Sequence, residues 1–204
     1  LPTRPKLRNA AHVPPDETST TPTPDEQERF KIAGARLKTD REFALASASL
    51  RQALQDMPEL TELSKHIMFE ETREGLNLEI VDQDGRSMFA EGSKEPYERT
   101  RMLIRRLAAP LKATPFRISV TGHTASNFMA MRSDYDGFDL SADRANVVRQ
   151  ILEREGVPAG HIFAVSGKSD SMPLFPDDPS LAANRRVTIT LMREAPPLPP
   201  NLKP

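Results

Sequence analysis

The chain has 204 residues and a mass of 22.8 kDa, enough for one well-buried domain with appendages or for two small domains. Its 28 Lys plus Arg against 29 Asp plus Glu give a net charge of -1, which argues against a nucleic-acid binder, and no apolar run approaches the roughly 20 residues of a membrane span. The absence of Cys excludes disulfides, Cys-ligated zinc, iron–sulfur clusters and thiol catalysis, and it suits an oxidising compartment.

The chain starts at Leu1, so a fragment or a processed product is expected. Of 19 prolines, six lie in residues 1–25 and five in 195–204. Both ends therefore read as extended, disordered tails, too poor in apolar groups to offset the entropy of ordering. A helix is predicted over 26–57, with Thr23 as cap, Pro24 in its first position and Glu26 closing a capping box. Phe30, Ala33 and Leu37, then Phe43, Ala46, Leu50, Ala53 and Met57, recur at helical spacing. That stripe serves either an interaction surface or packing on the helix's own domain.

Pro58 predicts a shorter helix presenting Leu60, Leu63 and Ile67. The period then changes to two. A strand at 67–71 turns through Thr72–Gly75 into Leu76, Leu78 and Ile80, which alternate with polar residues. Asp84-Gly85 is a second turn signal. Pro96 opens a helix carrying Tyr97, Ile104, Leu107, Ala108 and Leu111. Phe116, Ile118 and Val120 form a strand that ends at Thr121-Gly122-His123-Thr124. After a polar loop (125–139), Ser141 is the predicted cap of a helix with Val148, Ile151 and Leu152 inward and Gly156 at its end. Strands at 162–165 and at Val187, Ile189 and Leu191 follow. The order from residue 67 is β-β-α-β-α-β-β: an α+β sandwich, with helices on one face of a mixed sheet.

Catalytic signals are weak. His12, His66, His123 and His161 show no metal-ligand spacing, so no metal and no cofactor is expected. Ser126, His123 and Asp134 lack the surroundings of a nucleophile elbow. Gly167-Lys168-Ser169 lacks the earlier glycine of a phosphate loop and leads into Met172-Pro173, not into a helix. More promising is the Thr121–Thr124 turn beside a helix capped at Ser141. Arg144 would then lie in the first turn, where N–H groups, the helix dipole and a guanidinium all favour a carboxylate. The alternative is a surface arginine paired with Asp143 or Asp139.

Thr121-Gly122-His123-Thr124, Leu140-Ser141-Ala142-Asp143-Arg144-Ala145-Asn146 and Asn184-Arg185-Arg186-Val187 together resemble the OmpA-like peptidoglycan-binding domain. Val81-Asp82-Gln83-Asp84-Gly85-Arg86 and Met88-Phe89 resemble, more specifically, the MotB branch of flagellar-motor stator subunits. The resemblance covers about residues 58–194, and the helix before it is similar to that branch's periplasmic linker. It implies a non-enzymatic anchor that grips the peptide stem of peptidoglycan. It further implies the periplasmic part of a single-pass inner-membrane protein, working as a homodimer with a MotA-type channel subunit and the basal-body P-ring. Arg144 matches the arginine that binds the diaminopimelate carboxylate, Thr124 lines the same pocket, and His123, Asn184 and Arg185 accompany them. The family usually places Asp after Gly-His-Thr, against the ligand's ammonium. Here Ala125 stands there, so Asp134, Asp136 or Asp139 replaces it, or binding is weaker or differently arranged. A general envelope tether is the alternative within the same fold.

Overall fold

The computed structural model describes residues 21–58 and 61–193. Both expected tails, apart from the capped start of the helix, and Leu60 lie outside the described residues. The chain divides into two compact units, Leu1–Leu37 and Lys38–Pro204. Helix α1 spans Pro24–Gln55. Its capping box forms as the sequence predicts: Thr23 N donates to Glu26 Oε2 (2.8 Å), and Glu26 N donates to Thr23 Oγ1 (3.3 Å). In the first unit Phe30 and Leu37 of the expected stripe are exposed.

In the second unit the stripe packs on its own domain. Phe43, Leu50 and Leu54 are buried, with Ala46 and Met57 packed against the same core. Phe43 meets Phe116 edge-on at 5.2 Å, a favoured aromatic geometry. Arg193, just past the last strand, lies over the Phe43 ring and pairs with Asp40 at 3.1 Å. The short helix expected after Pro58 reduces to a 3-10 turn, Ser64–His66, because Ile67 already belongs to strand β1 (Ile67–Glu71).

Strands β1, β2 (Gly75–Val81), β3 (Ile118–His123), β4 (Ile162–Gly167) and β5 (Arg186–Met192) form one sheet in the order β1-β2-β5-β3-β4. β3 and β4 run parallel, and the other pairs are antiparallel. Helices α2 (Glu98–Lys112) and α3 (Gly137–Arg154) complete the β-β-α-β-α-β-β order. The register explains the period-two pattern. Phe69, Leu78, Ile189, Val120 and Val165 lie in one cross-strand row, and Met68, Glu79, Thr188, Thr121 and Ser166 in the next. Successive residues point to opposite faces, so the apolar row meets the helices and the more polar row faces away. On the helix side Leu103, Ile104, Leu107 and Leu111 of α2 and Val148 and Leu152 of α3 are almost fully buried, each worth about 1.5–3 kcal/mol of transfer free energy. Tyr97 is the N-cap residue of α2, 42% exposed, and stands outside that stripe.

Two glycines let α3 lie directly on the sheet. A Cβ on Gly122 would come within 1.9 Å of the Ser141 carbonyl oxygen, and one on Gly167 within 2.4 Å of Ala142 N. Neither position tolerates a side chain without moving the helix. Ser141 itself is buried between them. Its hydroxyl donates to Phe138 O and accepts from Ser169 N.

Candidate functional site

Helix α3 starts earlier than the sequence implies. Asp136, not Ser141, is the N-cap: its Oδ1 accepts from Phe138 N (2.8 Å) and Asp139 N (3.2 Å), and Asp139 Oδ2 accepts from Asp136 N (2.9 Å). The capping residues are both aspartates, and Gly137 has the small size its neighbours demand, a Cβ there lying 2.4 Å from Ser169 Oγ. Arg144 therefore stands two turns inside the helix, beyond reach of the free N–H groups and of the terminal dipole. The first-turn carboxylate site expected from the sequence is not formed.

What forms instead is a side-chain pocket. Thr124, Arg144 and Arg185 line one cleft of about 390 Å³ together with Asp82, Phe89 and Glu91. Arg144 is only 6% exposed. Its Nε donates to Ser93 O (2.9 Å) and its Nη2 to Ala90 O (3.2 Å), and its guanidinium lies over the Phe89 ring at 4.9 Å, a cation–π contact. Burial pulls its pKa below the ordinary value; Asp82 opposes that shift and Arg185 adds to it. The expected partners do not hold it. Asp143 accepts from the Tyr135 hydroxyl and pairs with Lys94, and Asp139 is spent on the cap.

Asp82 closes strand β2 and is buried. Its Oδ1 accepts from Met88 N (2.7 Å) and its Oδ2 from Arg185 Nε (3.0 Å). Thr124 is held by its own backbone, whose N–H donates to Ser169 O (2.9 Å), while Lys168 N donates to Gly122 O (3.0 Å). Its hydroxyl is buried and has no hydrogen-bond partner among the described residues. Ser169 adopts φ 51° to make this junction, an unusual conformation for a non-glycine residue.

Residues 88–186 match the model of the OmpA family. This segment is an OmpA-family domain. The chain is 34% identical over 148 residues to motility protein B of Escherichia coli K12, covering 71% of this chain and 47% of that protein, and is homologous to it. The chain thus spans about half the length of the curated relatives it matches. In fold it is similar to the cell wall anchor of the T6SS from Pseudomonas aeruginosa (TM-score 0.58, 26% identity, 71% of this chain and 97% of that one). It also resembles the periplasmic domain of Helicobacter pylori MotB (TM-score 0.57, 21% identity, 67% and 85%).

Against this OmpA domain the expected site residues divide. Thr124, Arg144 and Arg185 come together. His123 does not, because β3 alternates: it pairs with Arg186 in register and lines a separate cleft of about 600 Å³ on the sheet face away from the helices. There it is buried, and burial first, then Arg186 and Lys168, push its pKa down to about 3. Asn184 is fully buried and structural. Its Oδ1 accepts from Phe175 N, and its Nδ2 donates to Asp178 O, fixing the loop before β5. Ser126, His123 and Asp134 form no triad, since Asp134 is exposed and bonded to Arg132. The three loop aspartates considered in place of residue 125 are each engaged elsewhere, Asp134 by Arg132 and the other two in the cap. Asp82, Phe89 and Glu91 were not anticipated as pocket residues. An acid ending the apolar run Leu76–Val81 was the available signal for Asp82.

Proposed function

We propose that this domain binds the peptide stem of peptidoglycan without catalysis and so anchors a flagellar-motor stator to the cell wall. The observation that carries the reading is the convergence of Thr124, Arg144 and Arg185 in one cleft of a domain homologous to motility protein B. A carboxylate entering the cleft meets guanidinium N–H groups in a part-buried site, where charge-assisted hydrogen bonds are strong, beside Thr124, whose buried hydroxyl has no partner among the described residues. Arg144 and Arg185 are the proposed carboxylate contacts and Thr124 a third donor or acceptor. His123 and Asn184 act through the fold and not on the ligand.

In the whole protein the domain is proposed to be periplasmic, joined through α1 to an inner-membrane span. Its partners there would be a second copy, a MotA-type channel subunit and the basal-body P-ring. Among the described residues no helix is long and apolar enough to cross a membrane. The similarity to a secretion-system cell wall anchor favours a second reading, a general envelope tether that grips the same polymer. Co-sedimentation with purified sacculi tests the binding. Retention that soluble stem peptide competes away is expected, and no retention would overturn it. Release of soluble muropeptides would point to a hydrolase. Loss of swimming with intact envelope integrity on deleting residues 58–194 separates the stator from the general tether.

A further inference from the structure

We propose that Glu91 is the residue by which this pocket takes the ammonium group of its ligand, so that the pocket selects an amino-acid end over a plain carboxylate. The inference rests on the pocket being the binding site and adds to it a specificity-determining residue.

The argument is a charge inventory. Four charged side chains line the cleft: Asp82, Arg185, Arg144 and Glu91. Asp82 is committed, one oxygen to Met88 N and the other to Arg185 Nε. That pair is internally neutral. Arg144 spends Nε and Nη2 on two carbonyls, which carry no net charge, and so it remains a cation with no carboxylate bonded to it among the described residues. Glu91 is exposed and forms no hydrogen bond or ion pair among the described residues. The pocket thus offers one uncommitted guanidinium and one uncommitted carboxylate.

The fold fixes the backbone that carries Glu91. Glu91 lies in the Ala90–Ser93 turn, closed by Ser93 N donating to Ala90 O (3.0 Å). Gly92 takes φ 61°, the positive value that a type II turn requires in its third position. Arg144 bonds the carbonyls at both ends of this same turn, so the arginine that receives a carboxylate also holds the backbone that carries Glu91. The turn cannot shift without moving Arg144. A ligand bearing a carboxylate and a nearby ammonium matches this pair of opposite charges; a bare dicarboxylate leaves Glu91 as a repulsive neighbour.

Among the described residues no other uncommitted carboxylate lines the pocket. Position 125 is a buried alanine. Asp134, Asp136, Asp139 and Asp143 are bonded to Arg132, to the helix cap and to Tyr135. Thr124, in the wall of the same cleft, keeps a buried hydroxyl with no hydrogen-bond partner among the described residues.

The test measures competition for sacculus retention by diaminopimelate and by pimelate, the same dicarboxylate without its amines, at low salt. Wild type should prefer diaminopimelate by about two- to fivefold, the range of an exposed ion pair. Glu91→Gln should bring the two competitors together, and Glu91→Asp should keep part of the gap. A preference that survives Glu91→Gln overturns the assignment and leaves the binding reading intact. Wild type that is retained on sacculi yet shows no preference overturns it as well. If wild type is not retained at all, the binding reading falls, and the role of Glu91 with it.

Discussion

Arg144 and Arg186 are both buried arginines, and what surrounds them is opposite. Arg186 lies on the sheet face away from the helices, with its Nε on Glu79 Oε2 at 3.1 Å and its other nitrogens on Asn184 O and Met172 O. Thr188 Oγ1 also donates to that carboxylate, at 2.5 Å. Every charge has its counter-charge. Arg144 has two carbonyls and an aromatic face, and among the described residues no carboxylate bonded to it. Asp82 favours its charge but bonds Met88 N and Arg185 instead, and a buried cation left without a bonded anion is expensive to maintain, so its natural use is to receive one from outside. One arginine closes a structure, and the other leaves it open to a ligand.

Arg186→Met should give the largest effect. It strands Glu79 in the sheet, and breaking a buried pair from one side costs about 3–5 kcal/mol. Burial already raises the Glu79 pKa, with Thr188 and Arg186 opposing. The carboxyl would then rise further and protonate, so the destabilisation should shrink as pH is lowered. Urea denaturation reads this directly. The double variant Arg186→Met with Glu79→Leu should recover most of the stability, and sacculus retention of the folded single variant should stay near wild type. If that retention collapses, the two arginines do not differ as argued.

Arg144→Ala should show the reverse balance. The charge-assisted contact it supplies is worth about 1.5–3 kcal/mol, which is roughly ten- to a hundredfold in sacculus affinity. Loss of stability should be smaller, because the freed Ala90 carbonyl still accepts from Ser93 N. Arg144→Lys should restore part of the binding only, since an ammonium lacks the planar fork. Retention measured beside circular dichroism checks both halves. A folded Arg144→Ala protein with wild-type retention would remove the site.

The difference between the two arginines was only partly legible in the sequence. Element order and the inward rows were readable, because period-two and helical spacing record which face is buried. Thr124, Arg144 and Arg185, expected together from their motifs, line one cleft. The misplacements have definite causes. His123 and Thr124 are adjacent, as are Arg185 and Arg186, and a strand sends adjacent residues to opposite faces. A motif read as a block therefore puts His123 beside Thr124 at one site, and it gives no sign that Arg186, next to Arg185, belongs to the opposite face. The sequence points to Ser141 as the cap of α3 because a serine before an apolar stripe is a standard start signal. Asp136, followed by Gly137 and answered by Asp139, is an equally valid one, and it wins because Ser141 is needed between Gly122 and Gly167. Glu91 was not visible as a pocket residue, since its role depends on a turn pinned by an arginine more than fifty residues away.

His123 offers a pH test of the closed face. Its pKa is about 3 in the folded chain, held down by burial and by Arg186 and Lys168, against about 6.5 when unfolded. Between these values the unfolded chain binds a proton that the folded chain refuses. This stabilisation is complete above about pH 6.5 and is lost as pH falls toward 3, with a slope of at most about 1.4 kcal/mol per pH unit. Glu79, raised above its ordinary value, has the opposite sign at the acid end. His123→Leu should flatten the decline between pH 6.5 and 5 in denaturation curves while leaving sacculus retention at pH 7 unchanged. A variant that loses retention yet keeps its fold would return His123 to the binding site.

The smallest effect is expected from Ala125→Asp. The family pattern places an acid here, and a pocket lacking any anion for an ammonium group should bind more tightly once it is supplied. With Glu91 in that role the added carboxylate brings little. Position 125 is only 1% exposed, so an aspartate there also carries a desolvation penalty and stands near the Thr124 end of a cleft that already holds Asp82. In the wild-type background the change should therefore leave sacculus affinity within about threefold, or weaken it. In the Glu91→Gln background the same substitution should recover part of the lost preference for diaminopimelate, because the second acid then has an ammonium to itself. Non-additivity of this kind is what two groups serving one ligand charge must show. A double-mutant cycle by competition measures it. Equal effects of Ala125→Asp in both backgrounds would mean that residues 91 and 125 do not address the same group.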